Sequence, residues 1–191
     1  MLRLTEFTCE TDCRIIFPEL PLQTLLEHCR RKLNEKYIPG EARERKSFGL
    51  IGGCQQGATI TVEKCLPLLK NARNQEPYKR FMDQAMTRYA IVSETPFSKR
   101  GWIADPQELM QKNKQIQQKN LLLGTYHMHR VSWPDDPLRD SPTTLDTVLA
   151  ADSHMLLFIV SMVNPDQPIL RAFYEGKPDQ EIPIITKDFS K

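Results

Sequence analysis

A strongly apolar stretch at residues 121–127 limits the possible folds more than any other part of the chain. It reads Leu-Leu-Leu-Gly-Thr-Tyr-His, with no charged residue before the histidine. Such a run is typical of a strand buried on both faces, because a half-exposed strand would alternate apolar and polar residues. A second run at residues 154–162 has the same character. The chain therefore predicts a sheet with a central strand at 121–127 and further elements packed against it.

The remaining segments predict helices and strands around this central strand. Apolar residues at helical spacing predict one helix, and Pro106 and Pro142 stand at the favoured first position of two later helices. The predicted helices cover residues 22–37, 107–119 and 143–152, and the other predicted strands cover 47–53, 59–62, 89–92, 102–106, 169–174 and 181–185. A weak alternation at 14–17 predicts an edge strand. Together they predict an α/β fold, a mixed β-sheet flanked by helices.

The length of 191 residues fits one domain with short appendages better than two domains. We predict an N-terminal extension at residues 1–21, a single domain at residues 22–186 and a C-terminal tail at residues 187–191.

Composition argues against nucleic-acid and membrane partners. The net charge is +2, and no stretch of lysine and arginine interleaves with aromatic residues. No apolar run approaches the length of a membrane span, and residues 1–17 lack the apolar region of a signal peptide. The five cysteines are odd in number and irregularly spaced, unlike a secreted disulfide framework. These features predict a cytoplasmic protein.

Two histidines at the end of the apolar strand suggest a metal site. His127 and His129 are two residues apart, and such residues in a strand point to the same side of the sheet. Asp146, on the predicted helix at 143–152, can return to add a carboxylate. Two imidazoles and one carboxylate suit a catalytic Zn²⁺, which keeps a fourth position for a water that it activates. Alone, His-x-His is more often structural, but the apolar strand before it and the acidic helix after it favour a metal.

Several segments, taken in order, resemble the JAMM/MPN+ (Mov34/MPN/PAD-1) zinc metalloproteases. The histidines at 127 and 129, with Thr143 and Asp146 downstream, are similar to that family's His-x-His, spacer and Ser-x-x-Asp. Phe-Gly-Leu-Ile-Gly at 48–52 resembles its first strand, and Ile-Ala-Asp-Pro at 103–106 resembles its Ile-Asp-Pro segment. The segments at 157–161, 170–173 and 181–184 resemble its closing strands. The resemblance spans residues 22–186.

The resemblance implies a cytidine-deaminase-like MPN/JAB domain with metallopeptidase or isopeptidase activity. In that family the two histidines and the aspartate hold zinc, a glutamate of the first strand is the general base, and the serine stabilises the oxyanion. The implied substrate is a protein or peptide, such as the C-terminal tail of a ubiquitin-like or small carrier protein, or a branched lysine linkage.

The sequence departs from the family pattern at the general base and around the ligands. Lys46 occupies the position of the glutamate, and an ammonium group has no lone pair with which to accept a proton. Glu44 is the nearest carboxylate and has the same strand parity, so we take it as the candidate base. Met128 and Arg130 replace the usual serine and proline, and sixteen residues separate His129 from Asp146 where the family has roughly ten.

The longer spacer leaves the third ligand and the oxyanion helper open. Asp146 fits the predicted helix best, with Thr143 three residues before it, and Asp140 is the alternative ligand. Either Ser141 or Thr143 can be the oxyanion helper. Ser141 is equally well explained as a helix cap followed by Pro142.

Two functions remain in competition. The three candidate ligands favour a zinc-dependent hydrolase of peptide or isopeptide bonds. Lys46 favours a non-catalytic MPN-type scaffold that binds partners, because fold resemblance alone does not establish activity.

Overall fold

Four α-helices, one short 3₁₀ helix (Phe97–Lys99) and eight strands lie in the described part of the chain, and they confirm the predicted α/β class. The computed structural model describes residues 12–92 and 95–187. The helices are α1 (Glu19–Leu33), α2 (Tyr78–Tyr89), α3 (Pro106–Gln117) and α4 (Thr144–Ala150). The strands are β1 (Arg14–Pro18), β2 (Phe48–Gln56), β3 (Thr59–Leu68), β4 (Leu121–His129), β5 (Leu156–Ser161), β6 (Ile169–Tyr174), β7 (Glu181–Ile182) and β8 (Ile184–Lys187).

All eight strands belong to one mixed sheet that curls into a nearly closed barrel. Their order is β7-β6-β5-β4-β2-β3-β1-β8. Pro183 alone separates β7 from β8, yet these two strands lie at opposite ends of that order. The sheet must therefore bend until its two ends approach each other. The backbone N–H of Ile15 in β1 donates to the carbonyl of Pro183, at 2.9 Å, which extends the β1–β8 pairing to the residue that separates β7 from β8.

The first strand lies within the segment that was predicted as an N-terminal extension, and it belongs to the sheet. β1 pairs in parallel with both β3 and β8, and it is not the edge strand that its sequence predicted. The extension predicted at residues 1–21 thus contains sheet residues and the start of α1, while residues 1–11 lie outside the described residues. The tail predicted at residues 187–191 begins at the last residue of β8, and residues 188–191 also lie outside the described residues.

The predicted central strand is confirmed as β4. It pairs antiparallel with β2 on one side and parallel with β5 on the other. The strand passes so close to β5 that a Cβ on Gly124 would overlap the carbonyl group of Leu156. Glycine is therefore required at this position by the close approach of two backbones.

Helices cover both faces of the sheet. Neighbouring residues in a strand face opposite sides, so a single strand can pack against helices on both faces. In β2, Ile51 joins the main core, which also contains Leu25 and Cys29 of α1. Leu50 faces the other way and packs with Ile116 of α3. His127 and His129, at the end of β4, lie on a face that α4 and α2 approach.

Two predicted strands are absent. The segment at 89–92 was predicted as a strand, but α2 runs to Tyr89 and the residues after it form no strand. The segment at 102–106 contributes only one isolated bridge, between Ala104 and Asn71. The predicted strand at 181–185 is split by Pro183 into β7 and β8.

Within residues 12–92 and 95–187, no helix is long and apolar enough to cross a membrane.

Candidate metal centre

The alternation of β4 brings the two histidines together. Tyr126 and Met128 point into the main core, so His127 and His129 point to the opposite face. Their Nε2 atoms lie 3.0 Å apart. The expectation that both imidazoles share one side of the sheet is met by this geometry.

A backbone carbonyl fixes the orientation of His129. Its Nδ1 lies 3.0 Å from the carbonyl oxygen of Arg139, so Nδ1 carries the hydrogen and Nε2 keeps its lone pair for a ligand. A metal-binding histidine usually has such a partner on its second nitrogen, because that hydrogen bond fixes the tautomer and the ring plane.

The loop that supplies this carbonyl is tied down by its own side chains. Arg139 has a positive φ of 52°, and its backbone N–H donates to Asp136 at 2.8 Å. Its guanidinium group pairs with the same carboxylate at 2.9 Å and lies 3.4 Å from the centre of the Trp133 ring. The hydroxyl of Ser161 in β5 donates to the carbonyl of Leu138. The loop thus holds the Arg139 carbonyl in place against His129.

Asp146 reaches the histidines from the first turn of α4. Its Oδ1 lies 3.4 Å from His127 Nε2, and its Oδ2 lies 3.7 Å from His129 Nε2. The candidate ligand atoms of the three side chains all lie within 4.8 Å of one another. Among the described residues, no other group of three histidine, cysteine, aspartate or glutamate side chains is arranged to hold a metal ion.

A capping box holds the Asp146 carboxylate. Thr143 is the N-cap of α4, and its hydroxyl accepts from the Asp146 backbone N–H at 3.3 Å. In return, the backbone N–H and the hydroxyl of Thr143 both donate to Asp146 Oδ2, each at 2.7 Å. This arrangement gives hydrogen-bond partners to two backbone N–H groups that have none within the helix, and it also orients the Asp146 carboxylate.

Burial keeps the two imidazoles neutral and ready to bind a cation. Burial lowers the pKa of His127, although Asp146 opposes that effect. Burial, followed by the neighbouring His127, lowers the pKa of His129 to about 3. Burial opposes ionisation of Asp146, but the two histidines and the hydrogen bonds from Thr143 outweigh it and leave the pKa of this carboxyl below its ordinary value. The centre therefore presents two neutral nitrogens and one carboxylate.

A cavity of about 490 Å³ opens beside these three side chains. Aromatic rings form one wall: the Phe48 ring lies parallel to His127 at 6.4 Å and parallel to Trp102 at 6.3 Å. Phe48 is also the direct partner of His127 in the β2–β4 pairing. Met82 and Met86 of α2 also line the cavity.

The predicted general base is not in this cavity. Glu44 lies in a bend before β2, and it does not line the cavity, whereas Lys46 does. The Glu44 carboxylate pairs with the Lys46 ammonium at 2.5 Å and accepts from the Asn71 amide at 3.1 Å. The parity argument placed Glu44 on an extended strand, but the chain bends before β2 begins at Phe48. The structure therefore does not bring Glu44 together with the three candidate ligands.

Contacts also show where the alternative residues around the start of α4 lie. Ser141 is not the N-cap of α4, and its hydroxyl accepts from Arg171 at 2.9 Å outside the cavity lining. The Asp140 carboxylate pairs with the same guanidinium at 3.2 Å and does not belong to the group of three. Thr143 does line the cavity, but its single hydroxyl hydrogen is used by Asp146. Ser141 and Thr143 are therefore not placed as donors to an oxyanion.

Sequence reasoning missed the Arg139 carbonyl and the aromatic wall. Nothing in the sequence around Arg139 indicates a left-handed backbone or a backbone group acting on His129. Phe48 could have been predicted to face the site. It is two residues after Lys46, and residues two apart in a strand face the same side of the sheet.

Comparison with known proteins finds a solved structure with a similar fold, but it assigns the chain to no family. No protein-family model matches the chain, and no curated protein matches it. The solution structure of protein DSY2949 from Desulfitobacterium hafniense is similar, with 22% identity, a TM-score of 0.58, and coverage of 91% of this chain and 93% of that one. A solution structure of a protein from Salinibacter ruber has 18% identity and a TM-score of 0.45, covering 91% and 92%. The first likeness shows a shared fold alone.

Proposed function

We propose that the chain is a zinc-dependent hydrolase of amide bonds, a metallopeptidase or isopeptidase on a cytidine-deaminase-like domain of the JAMM/MPN+ kind. The observation that carries the proposal is the convergence of His127, His129 and Asp146 at the wall of a cavity. Three protein ligands beside open space are the arrangement of catalytic zinc sites, whereas structural sites use four.

The donor set fits Zn²⁺ on chemical grounds. Both imidazoles are neutral because their pKa values are lowered, and the Arg139 carbonyl leaves His129 Nε2 free to ligate. Zinc bound by these three side chains would lower the pKa of a water toward neutrality and polarise a carbonyl. A hard cation such as Mg²⁺ would instead prefer a site with more oxygen ligands.

The chain's own residues position these groups. Thr143 holds the Asp146 carboxylate, the Arg139 carbonyl holds His129, and the Phe48 ring supports His127. In the hydrolysis, the amide C–N bond breaks and the carbonyl carbon bonds to the oxygen of water. One hydrogen of that water goes to the nitrogen, which leaves as an amine, and the other stays with the new carboxylic acid. Thr143 and Arg139 are positioning residues, since each acts through a ligand. The implied substrate is a protein or peptide, including the tail of a ubiquitin-like or small carrier protein.

The experiment is a hydrolysis assay on zinc-loaded protein. We expect cleavage of a fluorogenic peptide or isopeptide by the wild type, and loss of cleavage in Asp146→Asn. Asp140→Asn is the matched control, because Asp140 is a nearby carboxylate that pairs with Arg171 instead of joining the group of three. Equal activity in Asp146→Asn and wild type would contradict the proposal.

A scaffold is the second candidate, and the contacts of Lys46 favour it. The position of the family's general base carries an ammonium group, and Glu44 is turned away to bind it. Zinc-loaded wild type that cleaves no member of a broad panel of peptide and isopeptide amides would support a partner-binding module with a structural metal.

A further inference from the structure

Lys46 lies across the strand pair from the candidate metal ligands. Phe48 pairs with His127, and the Met128 N–H donates to the Ser47 carbonyl at 3.2 Å, so the pairing continues beyond the end of β2. Extending this antiparallel register by one further residue would set Lys46 opposite His129. Residues two apart in an extended chain face the same side, so Lys46 shares the face of Phe48. The Lys46 side chain lines the same cavity as the three candidate ligands.

Two contacts hold the Lys46 ammonium at the cavity wall and leave one donor over. It pairs with the Glu44 carboxylate at 2.5 Å and donates to the Gly101 carbonyl at 3.1 Å. An ammonium group has three N–H donors, so the third is available to a ligand in the cavity. The side chain is 23% exposed, which leaves it accessible while limiting the screening by water.

The lining of the cavity is strongly unbalanced toward positive charge. Among the described residues that line it, five are basic and Asp146 is the acidic one: Lys46, Lys99, Arg100, Arg130 and Arg139. Glu44 and Asp136 neutralise two of these from outside the lining. In the described part of the chain, five cations then face three carboxylates, before any metal charge is added. Such a lining attracts an anionic group and repels a cationic one.

Most of the other side chains that line the cavity are apolar. Met82 and Met86 from α2, Leu145 and Leu149 from α4, and Leu157 from β5 line it. A hydrocarbon side chain fits these walls, and ligand sites commonly combine such walls with a few placed polar groups.

We propose that the substrate carries a free carboxylate next to the amide bond, together with an apolar side chain, and that Lys46 is the residue that selects the carboxylate. This proposal rests on the proposed function, because it takes the three ligands as the reacting centre. Lys46 lines the same cavity as these ligands and stands two residues before Phe48, which pairs with His127, so a carboxylate that it holds lies beside that centre. The ammonium that replaces the general base is thereby explained as a specificity group.

The test compares two probes that differ only in that charge. The first is N-acetyl-Ala-Ala-Leu with a ketomethylene group in place of the last amide, so that it cannot be hydrolysed. The second is the same compound as its C-terminal carboxamide. We would measure the binding of both to zinc-loaded protein by calorimetry, in the wild type and in three variants whose zinc content and thermal unfolding have been checked.

We expect the wild type to bind the acid about 10- to 100-fold more tightly than the carboxamide, the range for a hydrogen bond to a charged group. Lys46→Met should bind the two equally, with its affinity for the carboxamide unchanged. Lys46→Arg should retain a preference for the acid, because it keeps the charge. Lys114→Met, which removes a lysine of α3 outside the cavity lining, should behave as wild type.

The contrary results separate the two proposals. Equal binding of acid and carboxamide by zinc-loaded wild type would overturn this inference and leave the metal site standing. A full acid preference in Lys46→Met would also overturn it, since the carboxylate would then be held elsewhere, on the metal for example. A folded wild type that takes up no zinc would overturn the proposed function itself, and this inference with it.

Discussion

Replacing Thr143 with valine should weaken zinc binding by more than it destabilises the fold. Valine keeps the shape of the side chain and removes the hydroxyl, which donates to Asp146 Oδ2 at 2.7 Å and accepts from the Asp146 N–H at 3.3 Å. The loss of the N-cap should cost about 1 kcal/mol of unfolding free energy. For a chain of this length, that corresponds to about 2–4 °C in Tm.

The effect on the metal is a separate quantity with its own magnitude. Removal of a group that orients a metal ligand typically lowers metal affinity about 10- to 100-fold. This range corresponds to about 1.4–2.7 kcal/mol of binding free energy. The Thr143 backbone N–H still donates to Asp146 Oδ2 in the variant, at 2.7 Å in the wild type, so complete loss of binding is not expected.

The assay is competition for zinc with a chromophoric chelator, alongside thermal unfolding of the metal-free protein. Thr143→Ser should restore both quantities, because serine keeps the hydroxyl. Asp105→Ala is the matched cap control: the Asp105 carboxylate caps α3 by accepting from the Glu108 N–H at 2.9 Å, and Asp105 lies outside the cavity lining. It should lose stability without losing zinc affinity. Zinc affinity in Thr143→Val equal to that in Asp105→Ala would refute the orienting role.

Three further predictions concern acid stability, the alternative ligand and the missing base. Burial lowers the pKa of His28 to about 4, and the unfolded value is 6.5, so the unfolded chain binds the proton first. The contribution of neutral His28 to the free energy of unfolding is therefore full above pH 6.5 and is lost as the pH falls toward 4. Between pH 7.5 and 5, denaturant titrations should show the wild type losing about 2 kcal/mol more unfolding free energy than His28→Gln. Asp140→Asn should keep the zinc affinity of the wild type within about twofold in the chelator assay, since Arg171 holds that carboxylate; a loss of tenfold or more would reinstate Asp140 as a ligand. Lys46→Glu should raise turnover of an uncharged amide, because a carboxylate then occupies the position of a general base; a fall would argue against that position.

The sequence identified the parts of the site that local periodicity determines. Alternation in β4 and its apolar character were enough to put His127 and His129 on one face of a central strand. Asp146 was identified by its place in a short acidic helix, and the same spacing from Thr143 produces the capping box. These features depend on residues within a few positions of one another, and such patterns are the most readable ones.

The helix start shows how two local signals can compete. Ser141 followed by Pro142 is a favoured cap, but Thr143 is the N-cap observed. The Thr143–Asp146 pair satisfies two backbone donors reciprocally, whereas Ser141 can satisfy only one, and Ser141 is drawn to Arg171 instead. Arg171 lies thirty positions away on β6, so this contact was not visible in the local sequence.

The remaining errors come from tertiary structure. The short apolar run near Tyr89 predicted a strand, but Met82 and Met86 pack as one face of α2 and extend the helix to it. The position of β1 depends on β8, which follows it by more than 160 residues in the chain, and no local pattern records that pairing. The turning of Glu44 toward Lys46 and Asn71 likewise depends on a bend before β2 that the charged sequence does not specify.

The most direct test of the metal centre is elemental analysis of purified protein after reconstitution with zinc and removal of excess metal. The account predicts about one zinc ion per chain in the wild type, and loss of most of it in both His129→Ala and Asp146→Ala. Both variants should remain folded by circular dichroism. A well-folded wild type that retains no zinc, or an Asp146→Ala variant that retains as much as the wild type, would contradict the assignment of these three side chains as the metal ligands.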